Sequence, residues 1–262
     1  MSEFDKDLTP ILSTATNEDL DPLVKYILKA ATTQTLEINA QYKEHNPNHV
    51  KYADVIESEI KEFGGNSFVT LFRGEGPPYY EIVGDVAGKL GANFSKGTSI
   101  ENIEMAILMK IMSSAWEKMS NEERMEFAKE TGIGYGIGSI PSAFPVLALQ
   151  AAIAASGFLA YRLALIIANN IAVTILGRGL AFATNVAIVR GIAFFTGPIG
   201  WAITALWTLK DIAGPAYRVT IPCVIHIAML RRKFSLSDCP DCSTPYTTGT
   251  KFCSNCGKKL SE

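Results

Sequence analysis

The stretch "GIGYGIGSIPSAFPVLALQAAIAASGFLAYR" occupies residues 132–162, contains no acidic residue, and has one basic residue, Arg162. Alternating glycines open the stretch, two prolines follow them, and a long apolar run comes next. Because about twenty apolar residues are enough for a helix to cross a bilayer, the run suits either lipid or the core of a globular domain. The glycines predict a flexible joint, since glycine has the widest conformational freedom; they are Gly132, Gly134, Gly136 and Gly138.

The acid-free region extends well beyond this stretch, from Thr131 to Lys210, and its only charges before Lys210 are those of Arg162, Arg178 and Arg190. Soluble domains average about 25% charged residues, so helices of this composition have no obvious solvent-facing side. Glycine, alanine and serine are dense in the region, and small residues let helices pack closely within lipid. The composition therefore predicts an apolar helical region that associates with a membrane.

The lengths of the apolar pieces allow several arrangements. Residues 140–161 are long enough to span and residues 191–209 marginally so, whereas residues 163–177 and 180–189 are expected to be too short alone. A hairpin or re-entrant element fits these lengths, with arginine side chains extending to the interface. A buried helical hairpin that inserts only when released fits them as well. A permanently buried core is the third alternative.

Residues 1–131 are predicted to form an acidic, soluble helical domain, because 13 Lys and Arg stand against 22 Asp and Glu over residues 1–130. Helices are expected over residues 20–31 and 49–63, the second ended by Gly64 and Gly65. Two more helix starts carry capping-box residues, in which Ser or Thr is followed three residues later by Glu: Thr98 with Glu101, and Ser120 with Glu123.

The next region, residues 132–236, has the opposite charge, with eight Lys and Arg against two Asp over residues 131–238. Helical character resumes from Ala216, Pro222 is expected to kink this helix, and Arg231-Arg232-Lys233 ends it. These cations complement the helix dipole. Beside a membrane they would also favour the cytoplasmic side and anionic lipid. The net charge of −2 for the whole chain argues against a nucleic-acid partner.

The end of the chain, residues 237–262, has the cysteine spacing of a zinc ribbon. Two C-x-x-C pairs are separated by ten residues; they are Cys239, Cys242, Cys253 and Cys256. Each pair places two thiolates on a tight turn, and four soft ligands fill a tetrahedral site without an open position. The acidic opening MSEFDKDLTP lacks the apolar run of an export signal, which favours metal binding over disulfides. We predict one structural Zn²⁺; a redox or disulfide pair is the alternative.

Polar residues elsewhere suggest no catalytic site. His45 and His49 belong to a polar connector and are predicted to be solvated. Cys223 and His226 share a helix face, and we predict a packed core or interface pair, with a metal-binding or nucleophilic pair as the alternative. Four acidic residues are predicted to lie on solvated helix faces: Glu57, Glu59, Glu122 and Glu123. No known catalytic motif is present in the sequence, so we predict a non-enzyme with no small-molecule substrate.

Three segments resemble, in this order, the YaaW family of bacterial proteins. They are EFGGNSFVTLFRGEGPPYYEIVGDVAGKL (62–90), WEKMSNEERMEF (116–127) and GPIGWAITALWTLKDIAGPAYRVTIPCVIHIAMLRR (197–232). The resemblance covers most of residues 50–233. It implies a helical front region grouped with the ubiquinol–cytochrome c chaperone fold, and it brings no catalytic residues. The cysteine-rich tail is a departure from the shorter members of that family.

The sequence as a whole predicts an all-α protein made of an acidic domain, an apolar region and a zinc ribbon. The leading hypothesis is a non-enzymatic protein that perturbs the inner membrane from its cytoplasmic side, in a stress response or antiviral defence. The soluble domain and the ribbon are expected to regulate it, and a protein partner or a second copy of the chain is expected to bind it. The alternative is a soluble chaperone or assembly factor, whose apolar helices are core or client-binding surface.

Overall fold

A computed structural model describes residues 4–30, 35–65, 76–131, 143, 145–155, 157–180, 199–200, 215–253 and 255–260. Three features predicted from the sequence lie outside these residues and stay predictions. They are the glycine joint at residues 132–138, the spanning piece at residues 191–209 apart from residues 199–200, and the short piece at residues 180–189 apart from Leu180.

Helices dominate the described residues, as predicted. Eleven α-helices occur there: α1 (Thr9–Thr14), α2 (Asn17–Ala30), α3 (Thr35–Ile38), α4 (Ala40–His45), α5 (Ala53–Gly64), α6 (Tyr79–Leu90), α7 (Ile100–Trp116), α8 (Asn121–Thr131), α9 (Val146–Ala155), α10 (Gly157–Leu176) and α11 (Pro215–Phe234). A short 3₁₀ helix, His49–Tyr52, precedes α5. Two short antiparallel strands follow α11: β1 (Leu236–Asp238) and β2 (Pro245–Thr247).

Helix α11 is the centre of the fold. Every residue from Val219 to Leu230 is buried, so this helix has no solvent-facing side along twelve positions. A helix that is covered all round must be enclosed by other elements. The enclosing elements are helices α1, α2, α5, α6, α7 and α10. Pro222 lies inside α11, so the helix continues through the proline that was expected to kink it.

The acidic front of the chain and the apolar back share one hydrophobic core. Leu20 and Ile107 from the front belong to the same cluster of buried residues as Leu163 and Ile225 from the back. The predicted division of the chain into residues 1–131, 132–236 and 237–262 stays a prediction, and its first boundary lies beside residues outside the description.

Helix α10 is the longest apolar helix of the described residues, and the ends that we predicted for it were wrong. We expected one spanning piece over residues 140–161 and a separate short piece over residues 163–177. Instead α9 ends at Ala155, and α10 runs from Gly157 through Arg162 to Leu176. Glycine is a poor helix former and suits a helix boundary. Arg162 is half-buried and does not interrupt the helix, since its long aliphatic stem packs like an apolar side chain.

Two of the predicted helix boundaries can be compared with hydrogen bonds. At α8 the capping box is confirmed: the Glu123 amide donates to Ser120 Oγ over 3.2 Å, and the Ser120 amide donates to Glu123 Oε2 over 2.7 Å. At α7 the prediction was wrong by one residue, because Ser99 precedes the helix and Thr98 does not cap it.

The end of α5 explains why a glycine stands in the Phe63-Gly64-Gly65 turn. Helix α5 ends at Gly64 with Gly65 following it, as predicted. A Cβ atom added to Gly64 would lie 2.5 Å from Cγ1 of Ile82 on α6. That separation is far below van der Waals contact, so a glycine at this position lets helices α5 and α6 approach each other.

Candidate metal centre

Four cysteine side chains meet in the small C-terminal module. The Sγ atoms of Cys239, Cys242, Cys253 and Cys256 all lie within 4.8 Å of one another. The closest pairs cross between the two C-x-x-C units: Cys239 Sγ is 3.6 Å from Cys256 Sγ, and Cys242 Sγ is 3.6 Å from Cys253 Sγ. A zinc ion with Zn–S bonds of about 2.3 Å in tetrahedral geometry separates its sulfurs by about 3.8 Å. The four thiols are therefore compatible with one tetrahedral metal ion.

The two C-x-x-C units share one backbone hydrogen bond and a left-handed residue after the second cysteine. In the first, the Ser243 amide donates to the Cys239 carbonyl over 2.8 Å, and Ser243 has a left-handed φ of 54°. In the second, the Gly257 amide donates to the Cys253 carbonyl over 3.0 Å, and Gly257 has a φ of 73°. Each turn therefore folds back on its first cysteine. Glycine adopts a left-handed φ without strain, which explains Gly257 after the second pair.

Hydrogen bonds to sulfur favour the thiolate form of Cys242 and Cys253, whereas the neighbouring sulfurs raise the pKa of Cys256. Cys242 Sγ lies 3.2 Å from Thr244 Oγ1, and the Asn255 amide donates to Cys253 Sγ over 3.4 Å. Interactions with the side chain and backbone of Thr244 lower the pKa of Cys242 to about 6. A thiol that ionises near neutral pH is a ready metal ligand.

The strands connect this cysteine cluster to the helices. In the two-residue alternation of a strand, neighbouring side chains point to opposite faces. Leu236 of β1 packs against the main helical core, whereas Tyr246 of β2 packs against the buried cysteines. Leu236 is paired with Thr247, and Ser237 with Tyr246, so the two contacts come from opposite faces of the sheet. The small sheet therefore connects the cysteine cluster to the core formed by the helices.

A second set of charged side chains lies at the end of α11, where the sequence predicted cations that complement the helix dipole or face anionic lipid. Arg231 Nε donates to Glu104 Oε2 over 2.9 Å, and the Glu104 side chain is fully buried. The Tyr79 hydroxyl donates to Glu104 Oε1 over 3.2 Å, and the other arm of the guanidinium donates to the Asp7 carbonyl over 2.6 Å. Burial raises the pKa of Glu104, and the adjacent guanidinium of Arg231 opposes that rise.

The neighbouring cations of this cluster also bind acidic helices. Lys233 Nζ lies 2.6 Å from Oδ1 of Asp19, which is buried, and a guanidinium nitrogen of Arg232 donates to the Glu101 carbonyl over 2.7 Å. Asp19 also caps the start of α2, because its Oδ2 accepts from the Thr16 amide over 3.2 Å. The basic end of α11 is thus complementary to the acidic front of the same chain.

Several residues predicted to be solvated are buried, and these predictions were wrong. His49 is 4% exposed; its Nδ1 contacts the Tyr52 hydroxyl and its Nε2 lies 3.6 Å from Asp21 Oδ1. Glu57 and Glu59 are 3% and 6% exposed. Hydroxyl groups from distant segments satisfy these carboxylates: Thr9 donates to Glu57 over 2.9 Å, and Thr35 donates to Glu59 over 2.8 Å. Local sequence gives no sign of such partners.

The pair Cys223 and His226 lies in the core, as predicted. Both side chains are fully buried, and His226 Nε2 lies 2.8 Å from the Asp19 carbonyl oxygen. Burial raises the pKa of the Cys223 thiol well above its usual range and lowers the pKa of His226 to about 4. A protonated thiol shielded from solvent is a poor nucleophile, which favours the packed pair over the nucleophilic alternative.

The buried carboxylate of Glu59 has a testable pH dependence. Burial raises its pKa, so folding favours the protonated form, and the contribution of Glu59 to stability is largest below the ordinary value of 4.5 and is lost as the pH rises through the folded pKa. We expect Glu59→Gln, which still accepts a hydrogen bond from Thr35, to raise the urea midpoint at pH 7. The gain should vanish as the pH falls to about 4.5.

Urea titrations between pH 4.5 and 8 measure this effect. Glu44→Gln is the matched control, because Glu44 is exposed on α4, and its urea midpoint should follow that of the wild type at every pH. A Glu59→Gln variant that is less stable than the wild type even at pH 8 would mean that the charge stabilises the fold.

Comparison with known proteins identifies relatives over most of the chain. A family model described as "Ubiquinol-cytochrome C chaperone" matches residues 48–227. A "UPF0174 protein" of Helicobacter pylori (strain J99) is 43% identical over 200 residues, which cover 76% of this chain and 79% of that protein. The "UPF0174 protein YaaW" of Escherichia coli (strain K12) is 32% identical over 193 residues, which cover 73% of this chain and 76% of that protein. No solved structure matches significantly.

Proposed function

The chain belongs to the UPF0174 family, which includes YaaW, and to the ubiquinol-cytochrome C chaperone family, and from this membership we propose that it is a chaperone-like protein that binds an apolar segment of a protein partner. The binding requires no catalysis. The family description, which names a chaperone, supports this proposal, as does the burial of the candidate nucleophile Cys223.

One observation carries the proposal: helix α9 is apolar and exposed. Its sequence, VLALQAAIAA, contains no charged residue, and five of its first six residues are exposed to solvent. Val146 is 39% exposed and Leu147 is 81% exposed. Exposed apolar surface of this kind marks interaction sites on soluble proteins. Helix α9 is therefore the surface on which we expect an apolar client segment to bind.

A second candidate function is membrane association, which helix α10 favours. Within the described residues, one helix is long and apolar enough to cross a membrane; this stretch, Phe158–Leu176, has a mean hydropathy of 1.7. In this version the protein acts on the inner membrane from the cytoplasmic side, in a stress response or antiviral defence. Against a permanent span, 72% of the same stretch is buried inside the fold, as in the core helix of a soluble protein.

The cysteine cluster fits a structural zinc site, and we propose zinc as its metal. Four sulfur ligands and the absence of a carboxylate or imidazole among them suit zinc better than magnesium or calcium. With all four tetrahedral positions taken by protein, a bound ion would hold the ribbon together and leave no position for a substrate. The metal content of the purified chain tests this proposal, and we expect one zinc ion per chain.

The client-binding proposal predicts a specific loss when α9 becomes charged. We expect the full chain to suppress the aggregation of a thermally unfolded model protein, and Leu147→Glu to remove most of that effect, because a carboxylate resists burial against an apolar segment. Light scattering measures the suppression. Ile38→Glu is the matched control, since Ile38 is an exposed apolar residue of α3, 66% exposed, and its replacement should leave the suppression unchanged.

Fractionation separates the two candidate functions. A chaperone-like protein is recovered as a monodisperse, detergent-free species, whereas a membrane-inserted protein stays in the pellet after an alkaline carbonate wash. Equal suppression by the wild type, Leu147→Glu and Ile38→Glu would remove α9 as the binding surface. Resistance to the carbonate wash would favour the membrane function.

A further inference from the structure

We propose that metal binding by the four cysteines holds helix α10 in the fold, so that the C-terminal ribbon is a metal-dependent latch on the apolar helix. The ribbon comprises residues 236–260. The inference rests on the proposed zinc site and goes beyond it, because it assigns the metal a role in holding α10, outside the ribbon.

The ribbon is joined rigidly to the central helix. Helix α11 ends at Phe234 and β1 begins at Leu236, so only Ser235 lies between them. The Ser235 amide donates to the Arg231 carbonyl over 3.2 Å, and the Ser235 carbonyl accepts from the Thr248 amide over 3.2 Å. Arg231 is itself held by the buried Glu104. The attachment leaves no flexible linker by which the ribbon could move independently of the helix.

The ribbon also packs against α10, although α10 is distant in sequence. Strand β2 contacts α10 directly. Helix α10 also packs against α11, the helix to which the ribbon is attached. The ribbon therefore bridges the end of α11 and helix α10.

The contact depends on the cysteine cluster through the two faces of the small sheet. On one face, Tyr246 packs against the cluster of buried Cys239, Cys253 and Leu260. On the other face, Leu236 packs against the helical core. The buried cluster of the ribbon contains two cysteines and one leucine, which is too little apolar surface to maintain a fold without a metal. Loss of the metal would therefore unfold the sheet and remove β2 from α10.

Hydrogen exchange of the full chain, purified with zinc, tests the latch. Metal analysis comes first, and one zinc per chain is expected. Amides of α10, residues 157–176, should exchange at least about tenfold faster after a zinc chelator removes the metal, because local opening no longer has to break the ribbon contact. Amides of α6, which packs against α5, α7 and α11, should not change.

Two matched variants of apolar ribbon residues test the path of the coupling. Leu236→Ala removes the side chain that faces the helices, and it should retain zinc while exchange at residues 157–176 rises several-fold. Phe252→Ala removes an exposed side chain of the ribbon, 58% exposed, and should retain both zinc and the slow exchange.

The outcomes separate the latch from the zinc site on which it rests. A chain that binds no zinc overturns the zinc proposal, and the latch with it. A chain that binds one zinc and loses it to the chelator, with unchanged exchange at residues 157–176, overturns the latch alone. Faster exchange that appears equally in α6 means global destabilisation, and it also overturns the latch.

Discussion

Arg231→Met is expected to lower the free energy of unfolding by about 3–5 kcal/mol, because it leaves the buried carboxylate of Glu104 without its partner. Glu104 is fully buried and Arg231 Nε lies 2.9 Å from its Oε2. The substitution also removes the donor to the Asp7 carbonyl. Methionine preserves most of the apolar contact of the arginine stem. The decrease in the free energy of unfolding therefore arises mainly from the lost charge.

The pH dependence gives this prediction a second signature. Burial already raises the pKa of Glu104, and removal of the opposing guanidinium should raise that pKa further. A protonated Glu104 carries no unpaired charge, so the deficit of the variant should shrink as the pH falls from 7 to 5. Urea unfolding of the variant and the wild type at both pH values measures the change.

Two further variants isolate the pair itself. Arg218→Met is the matched control, because Arg218 is an exposed arginine on the same helix, and its replacement should change stability by less than about 0.5 kcal/mol. Adding Glu104→Gln to Arg231→Met removes both charges, and the double variant should be more stable than the sum of the single effects by about 1–3 kcal/mol. If Arg231→Met costs no more than Arg218→Met, the ion pair does not hold the two regions together.

The charge pairs at the end of α11 are a feature that the sequence alone could not predict. The opposite charges of the two regions are visible in the sequence, and they suggested an anionic membrane as the partner of the basic region. The structure shows that much of this charge is complementary within the chain: Arg231 reaches Glu104 across 127 residues, and Lys233 reaches Asp19 across 214 residues. Local periodicity contains no information about pairs so far apart in sequence.

The features that were predicted correctly from the sequence depend on interactions between neighbouring residues. The Ser120 capping box, the end of α5 at Gly64 and the two turns of the cysteine cluster each depend on a few neighbouring residues. The buried carboxylates of Glu57 and Glu59 were missed because their hydroxyl partners, Thr9 and Thr35, come from other helices. A carboxylate in a helical pattern is predicted to be solvated, because the sequence does not show which distant hydroxyl group would bind it in the core.

The length of α10 was missed for a related reason. Arg162 looked like a boundary between a piece of spanning length and a shorter one, yet the helix continues through it to Leu176. The sequence could show that this region lacked a solvent-facing side. It could not show that α11 and the acidic helices supply enough apolar surface to bury it, since that surface is assembled from segments spread over the whole chain.

Ile167→Ala is expected to cost about 2–5 kcal/mol of stability in the purified, detergent-free protein, because it opens a cavity in the core. Ile167 lies near the middle of α10 and is fully buried, with 0% solvent exposure. Val173→Ala is the matched control on the same helix, since Val173 is 38% exposed, and it should cost less than about 1 kcal/mol. Urea unfolding at pH 7 measures both.

The same pair of variants decides what α10 does in the resting protein. If α10 belongs to the core, Ile167→Ala destabilises the soluble protein strongly and Val173→Ala does not, because the cost follows burial against α11. If α10 rests in lipid, neither variant changes the unfolding of the soluble part, and both shift membrane recovery to a similar small extent, since each removes a few methyl groups from an apolar helix. A large difference between the two variants therefore supports a helix that is held inside the fold, and equal small effects would restore the membrane as its resting place.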